Sequence, residues 1–318
     1  MRIFSEFSSL ESIPCPVLTI GTFDGVHLGH QKIIDQLNKE AMAVGGESVL
    51  FTFYPHPRMV LFPDSHGLQL IQTQEEKLDK LKRIGLQNVI VYPFTYEFSR
   101  LTALEFVRDF LVTRLKVKKV VIGYDHQFGK NREGSIEFLK KVSHTYDFEV
   151  IEIPAQEIDA VNISSTKIRQ AILEGELSKA NHFLGDPFQL NGTVVVGNAL
   201  GRTIGYPTAN ILVNSDMKLV PGNGVYRVTV DSDGERFNGM MNIGIRPTVG
   251  GTPNRTLEVH IFDFDADIYG KSITVCFLSK WREEMKFGSL DEFKAQLKKY
   301  EESIRYKNST AKYLFEIC

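Results

Sequence analysis

The sequence predicts two unlike halves: an α/β half built on a parallel, doubly wound sheet, and an antiparallel β-barrel followed by a terminal helix. Up to about residue 180, short apolar runs alternate with segments whose apolar residues recur at helical spacing. Around Phe183 to Gln189 that alternation stops, and short strand patterns with glycine and aspartate turns take over. The boundary is expected near Leu184 to Pro187, giving domains of residues 1–184 and 185–318.

Val17 to Ile20 reads as a buried strand, and Gly21 to His30 follows it as a glycine turn. The turn opens a helix whose apolar stripe, Ile33, Ile34, Leu37, Ala41 and Val44, ends at Gly45-Gly46. Val49 to Phe53 is a second strand, broken at Pro55-His56-Pro57, where proline forbids its continuation. Thr73 with Glu76 and Thr102 with Glu105 are capping-box pairs, each opening a helix. Val89 to Tyr92, Val120 to Ile122 and Phe148 to Ile153 complete the strands, with a helix from Ile136 to Val142.

In the second half, strands are expected at Thr193 to Val196, Val225 to Val230, Phe237 to Met241, Leu257 to Phe262 and Ile273 to Leu278, with a turn at Ser232-Asp233-Gly234. A last helix is expected from the capping box Ser289 and Glu292, with Phe293, Leu297 and Tyr300 facing inward.

At 318 residues, 42% hydrophobic and a formal charge of -2, the chain can bury two cores. The near-neutral balance argues against a nucleic-acid or anionic-membrane surface, so a phosphate site has to be local. Cys15, Cys276 and Cys318 are widely spaced and odd in number, which suggests neither a disulfide framework nor zinc. No apolar run has the length of a membrane span, and a cytoplasmic location is expected.

The stretch Gly21 to His30 carries the first chemistry. A helix that follows a parallel strand offers free amides and the positive end of its dipole to an anion. His27 and His30 share the first turn; charged, they suit a polyphosphate, and neutral, they simply cap the turn. Three more segments fall at strand ends: Tyr54 to Arg58, Gly123 to Gly129 with Arg132, and Ile163 to Arg169. In the last, a serine cap is the ordinary reading, while hydroxyls, Lys167, Arg169 and free amides together suit nucleotide phosphates.

In the second half, Gly197, Gly201 and Gly205 flank Arg202 in a loop that runs into Pro207-Thr208-Ala209-Asn210. The loop is either a turn-rich hairpin or a phosphate cradle whose Thr208 hydroxyl and Asn210 amide oxygen offer hard ligands to Mg²⁺. Glu258 and His260 alternate against Leu257, Val259 and Ile261, which makes Glu258 either a base at a ligand mouth or a solvated charge. Asp263, Asp265 and Asp267 read as a solvated turn. No P-loop motif occurs.

The longer motif G-T-F-D-G-V-H-L-G-H resembles that of the bacterial bifunctional riboflavin kinase and FAD synthetase family, whose N-terminal part is a Rossmann-like nucleotidyltransferase domain. The P-H-P, the G-x-D-x-x-F-G-x-x-R-x-G and the I-S-S-T-x-I-R match in the same order. So do G-R-T-I-G-Y-P-T-A-N, G-V-Y, N-I-G-I-R-P-T and L-E-V-H-I-F-D-F in the second half.

The resemblance implies that the barrel phosphorylates riboflavin with ATP, and that the first half transfers AMP from ATP to FMN, releasing pyrophosphate. It implies Mg²⁺ as cofactor and FMN and FAD as products. It also assigns Gly21, Phe23, Asp24, His27, His30, Ser164, Ser165, Thr166 and Arg169 to the nucleotide, and His56, Asp125 and Arg132 to FMN or nucleotide. In the barrel it assigns Gly201, Arg202, Thr208 and Asn210 to nucleotide and metal, Tyr226, Asn242 and Arg246 to flavin, and Glu258 as base on the riboflavin hydroxyl. His126 and Val196 depart from the family pattern, standing where phenylalanine and histidine are frequent. The rival readings are a nucleotidyltransferase for another acceptor and a ligand-binding regulator without turnover.

Overall fold

The computed structural model describes residues 1–5, 13–63, 67–124, 126–154, 163–197, 205–246 and 254–285, and 292, 294–296 and 298–303 of the last helix. The chain divides into two compact units, residues 1–168 with 183–185, and residues 169–182 with 186–318.

The first unit is a six-stranded parallel sheet of β1 (Arg2–Phe4), β2 (Val17–Ile20), β3 (Ser48–Tyr54), β4 (Asn88–Pro93), β5 (Lys119–Gly123) and β6 (Glu149–Ile153). Its order is β1-β4-β3-β2-β5-β6. Because side chains alternate along a strand, every buried strand needs an apolar layer on both faces. Val17, Leu50, Val89 and Val121 pack on Ile34, Leu37 and Leu81 of the helices Leu28–Ala43 and Gln74–Arg83. Leu18, Val49, Phe51, Ile90, Val120 and Ile122 pack on Phe106, Phe110 and Leu139 from the other side. Chain order reverses between β2 and β5, so the crevice for a ligand lies at their carboxyl ends.

Both expected capping boxes form, with Thr73 and Thr102 hydroxyls each accepting the N–H three residues on. After Glu105 the helix widens into a π-helix over Phe106–Arg114, and Leu115 N–H reaches the Phe110 carbonyl at 3.0 Å. β1 is an addition to the expected strands. It is three residues long and pairs with β4, too short for a periodic signal.

The second unit is a closed antiparallel barrel in the order β10-β11-β8-β7-β12-β9. Its strands are β7 (Phe188–Val195), β8 (Ala209–Val213), β9 (Gly224–Ser232), β10 (Glu235–Arg246), β11 (Asn254–Ile261) and β12 (Ser272–Arg282). Tyr226, Val228, Val230, Met241, Ile243 and Val259, all fully buried, fill the interior. Asp233 and Gly234 both take positive φ in the tight turn between β9 and β10, the backbone that a two-residue hairpin requires. β7 starts earlier than the sequence indicates, at Phe188, and β8 occupies residues read there as the end of a loop.

The helical residues 169–182 belong with the barrel. Asn181 Nδ2 donates to the Phe277 carbonyl at 2.8 Å, and its Oδ1 accepts Phe188 N–H at 2.8 Å. In the C-terminal helix Tyr300 is buried and packs on Trp281, ring centroids 4.4 Å apart. Ser289, Phe293 and Leu297 lie outside the described residues.

Candidate active sites

In the first unit the four motif segments meet. A cavity of about 730 Å³ at the carboxyl ends of the strands is lined by Gly21, Phe23, His27 and His30 after β2, by Pro57 after β3, by Gly123, Tyr124 and His126 to Arg132 after β5, and by Ile163 to Ser165. Asp125 lies outside the described residues. His126, one of the two departures from the family pattern, also lines the cavity.

The turn between β2 and the first helix is held in an unusual shape, with Phe23, Gly25 and Val26 all at positive φ. At Gly25 a Cβ would also stand 3.1 Å from Ile71, so glycine suits this position on both counts. Asp24 is buried and works for the loop. Its carboxylate accepts the amides of Ile71 and Gln72 at 3.1 and 3.3 Å, and its carbonyl accepts the Ser165 hydroxyl at 2.9 Å. This bond joins the motif after β2 to the helix Ser165–Glu174, where Ser164 Oγ caps Lys167 N–H.

His27 is the N-cap of the helix Leu28–Ala43, its Nδ1 accepting from His30 N–H at 3.4 Å. The His30 ring is stacked between His27 and Phe23, at centroid distances of 3.7 and 4.4 Å. Burial, and then the charge of Lys80, push His27 down to about 4. Burial holds His30 well below the usual imidazole range, with His27, Lys80 and Lys77 adding to the effect. Both imidazoles are therefore neutral at pH 7, with His27 capping the helix.

Two buried lysines were not legible in the sequence. Lys77 donates to the Thr22 carbonyl and the Thr52 hydroxyl, at 3.3 and 3.2 Å, and burial pushes it down to about 8. Lys80 donates to the Leu184 carbonyl at 2.7 Å. They sit on a strongly polar helix, where nothing local separates a buried lysine from a solvated one. A second omission is an aromatic wall: Phe53, Phe94, Phe98, Phe106 and Phe128 line the cavity with Tyr96 and Tyr124. Its signal was the aromatic density of Tyr92 to Phe98 at the end of β4.

Other assigned residues stand apart from the cavity lining. His56 caps the short helix Pro57–Leu61, its Nδ1 accepting Arg58 N–H at 3.2 Å. Thr166 is exposed, and Arg169 lies a turn further along its helix.

In the barrel, pairing register builds a row. Asn242 on β10 stands opposite Glu258 on β11, and Glu258 opposite Asn210 on β8. Directly opposed residues share a face at about 5 Å between Cβ atoms, so two amides flank one carboxylate. The next row, Met241, Val259 and Ala209, faces the interior, which places the polar row on the outer wall. Gly197 packs on this row, where a Cβ would stand 1.9 Å from Asn210 Nδ2. Val196 beside it is 81% exposed, so histidine's absence there leaves no gap in the packing.

Tyr226 is not brought to the row. It is fully buried on the interior face, donates its hydroxyl to the Gly222 carbonyl at 2.5 Å, and is pushed up to about 12 by burial. Arg246 closes β10 opposite Asn254, and its side chain, with Gly201 and Arg202, lies outside the described residues. Asp263, Asp265 and Asp267 are exposed, and Asp267 caps Tyr269 N–H at 3.0 Å, as a solvated turn would.

The chain matches the FAD synthetase family model over residues 11–167 and the riboflavin kinase model over residues 184–307. It is 40% identical over 289 residues to the bifunctional riboflavin kinase/FMN adenylyltransferase of Listeria monocytogenes, covering 91% of each chain. To the Escherichia coli K12 protein of the same name it is 40% identical over 309 residues, covering 96% of this chain and 97% of that one. A crystal structure from Streptococcus pneumoniae, described as a macrolide-efflux protein, shares the fold with a TM-score of 0.86 at 37% identity, covering 95% of this chain and 98% of that one. No helix among the described residues is long and apolar enough to cross a membrane. Two family models in series and relatives matched along nearly their whole length make this chain a member of the bifunctional riboflavin kinase/FMN adenylyltransferase family.

Proposed function

We propose that the cavity of the first unit binds ATP and FMN for adenylyl transfer, and that the outer row of the barrel phosphorylates riboflavin. The convergence of four separate strand-end segments on one cavity carries this reading. Such a cavity offers helix amides and imidazole donors to phosphates and an aromatic wall to a ring system.

In adenylyl transfer an FMN phosphate oxygen attacks the α-phosphorus of ATP, and pyrophosphate leaves. The charge that develops is on the leaving phosphates, where neutral His27 and His30 donate hydrogen bonds and the helix dipole adds its field. In the kinase step the riboflavin hydroxyl attacks the γ-phosphorus, Glu258 takes the proton, and Asn210 and Asn242 fix the carboxylate's surroundings. The hydroxyl and amide oxygens of Thr208 and Asn210 are the hard donors that Mg²⁺ prefers. These two donors, together with substrate phosphates, would hold the ion. When bound, Mg²⁺ would neutralise phosphate charge. A cytoplasmic site of action is part of the proposal, since ATP is the co-substrate of both steps.

The test is to incubate the full chain with riboflavin, ATP and Mg²⁺ and separate the flavins, beside a His27→Ala/His30→Ala variant. The wild type should form FMN and then FAD. The variant should stop at FMN, since losing one preorganised donor at a transferring group costs about 3 kcal/mol. Undiminished FAD formation by the variant would remove the histidines from the site.

A further inference from the structure

Beside the polar row, one side chain holds the Thr208 segment to the barrel wall. The β8–β11 ladder pairs Asn210 with Glu258 and Ala209 with Val259, and its register ends there. At the next position of β11, His260 is buried and its Nδ1 stands 2.7 Å from the Pro207 carbonyl. A carbonyl only accepts, so Nδ1 carries the hydrogen, and the imidazole is fixed in that tautomer. Tyr206 and Phe262 each pack edge-on against the ring, both at a centroid distance of 5.3 Å, so the donor has little freedom to turn away.

Pro207 has no N–H, so its carbonyl is the backbone group through which this residue can be tied down. Fixing that carbonyl sets the plane of the peptide leading into Thr208. The side chain thereby extends the ladder by one residue past the point where the backbone leaves it.

We propose that His260 is a positioning residue of the kinase step, clamping the Pro207–Thr208 peptide so that Thr208 and Asn210 meet the nucleotide phosphates while Glu258 faces the flavin hydroxyl. This rests on the barrel being the kinase, and it adds a group that touches neither substrate. A clamp of this kind acts on the nucleotide side, so its loss should appear in the KM for Mg·ATP and leave that for riboflavin in place.

The experiment uses the full chain. His260→Phe keeps the aromatic packing and removes the donor, and His260→Asn places an amide N–H close to where Nδ1 stood. Phe should raise the KM for Mg·ATP in FMN formation about tenfold, with the riboflavin KM within twofold, and Asn should recover most of the loss. FAD formation from added FMN should stay unchanged in both variants, because it belongs to the other unit. Wild-type kinetics in the Phe variant would overturn the proposal. So would a parallel rise of both KM values with no recovery by Asn, which marks a role in barrel folding alone. A wild-type chain that forms FAD from FMN but no FMN from riboflavin would overturn the kinase reading itself, a separate outcome visible before any variant is made.

Discussion

The imidazoles of His27 and His30 stack 3.7 Å apart, and the first ring accepts the second residue's backbone N–H. Both hydrogen bonding and stacking favour uncharged rings, and burial enforces it.

That pair makes the first unit sensitive to acid. His27 sits near pKa 4 when folded and near 6.5 when unfolded, so between those values the unfolded chain binds more protons. Its contribution is complete above pH 6.5 and is lost as pH falls toward 4, by about 3 kcal/mol at most. Urea unfolding at pH 7, 5.5 and 4.5 should show a falling midpoint, and His27→Asn, which keeps a capping side chain, should flatten the decline. An equal slope in the variant would assign the acid sensitivity elsewhere.

Glu258→Gln tests the row on the barrel wall. The substitution keeps shape and hydrogen bonding and removes basicity, so FMN formation should fall about a hundredfold to ten-thousandfold with FMN binding intact. A solvated glutamate on an outer wall would cost almost nothing. The rate of FMN formation under saturating ATP and riboflavin separates the two.

A third expectation concerns where the barrel begins. Asn181 bonds both Phe188 and Phe277, and Gly222 N–H reaches the Ile172 carbonyl at 3.4 Å, so the helices before residue 185 hold barrel backbone groups. A fragment of residues 165–318 should melt higher than one of residues 186–318, by several degrees or more if these three hydrogen bonds, worth about 1 kcal/mol each, are lost. Equal melting temperatures would place the boundary where the sequence suggested. Each fragment should form FMN, and neither should form FAD.

What the sequence determined by itself is whatever adjacent residues settle between them. The strand, glycine turn and helix from Val17 to Val44, the boxes at Thr73 and Thr102, and the Asp233-Gly234 hairpin are all local, and each formed as read. The change from parallel sheet to antiparallel barrel was legible for the same reason, since strand and helix periodicities differ over a dozen residues.

Tertiary structure decided the rest. Nothing near Asn210 announces that it will stand opposite Glu258, or near Glu258 that Asn242 will flank it, because register between distant strands is set by which face must be buried. That same requirement put Tyr226 inside the barrel and left Glu258 on its wall, and it drew Lys77 and Lys80 into the interior beneath the turn after β2, from a helix whose composition is that of a solvated one. Residue types carry the chemistry, and burial selects which of them can perform it.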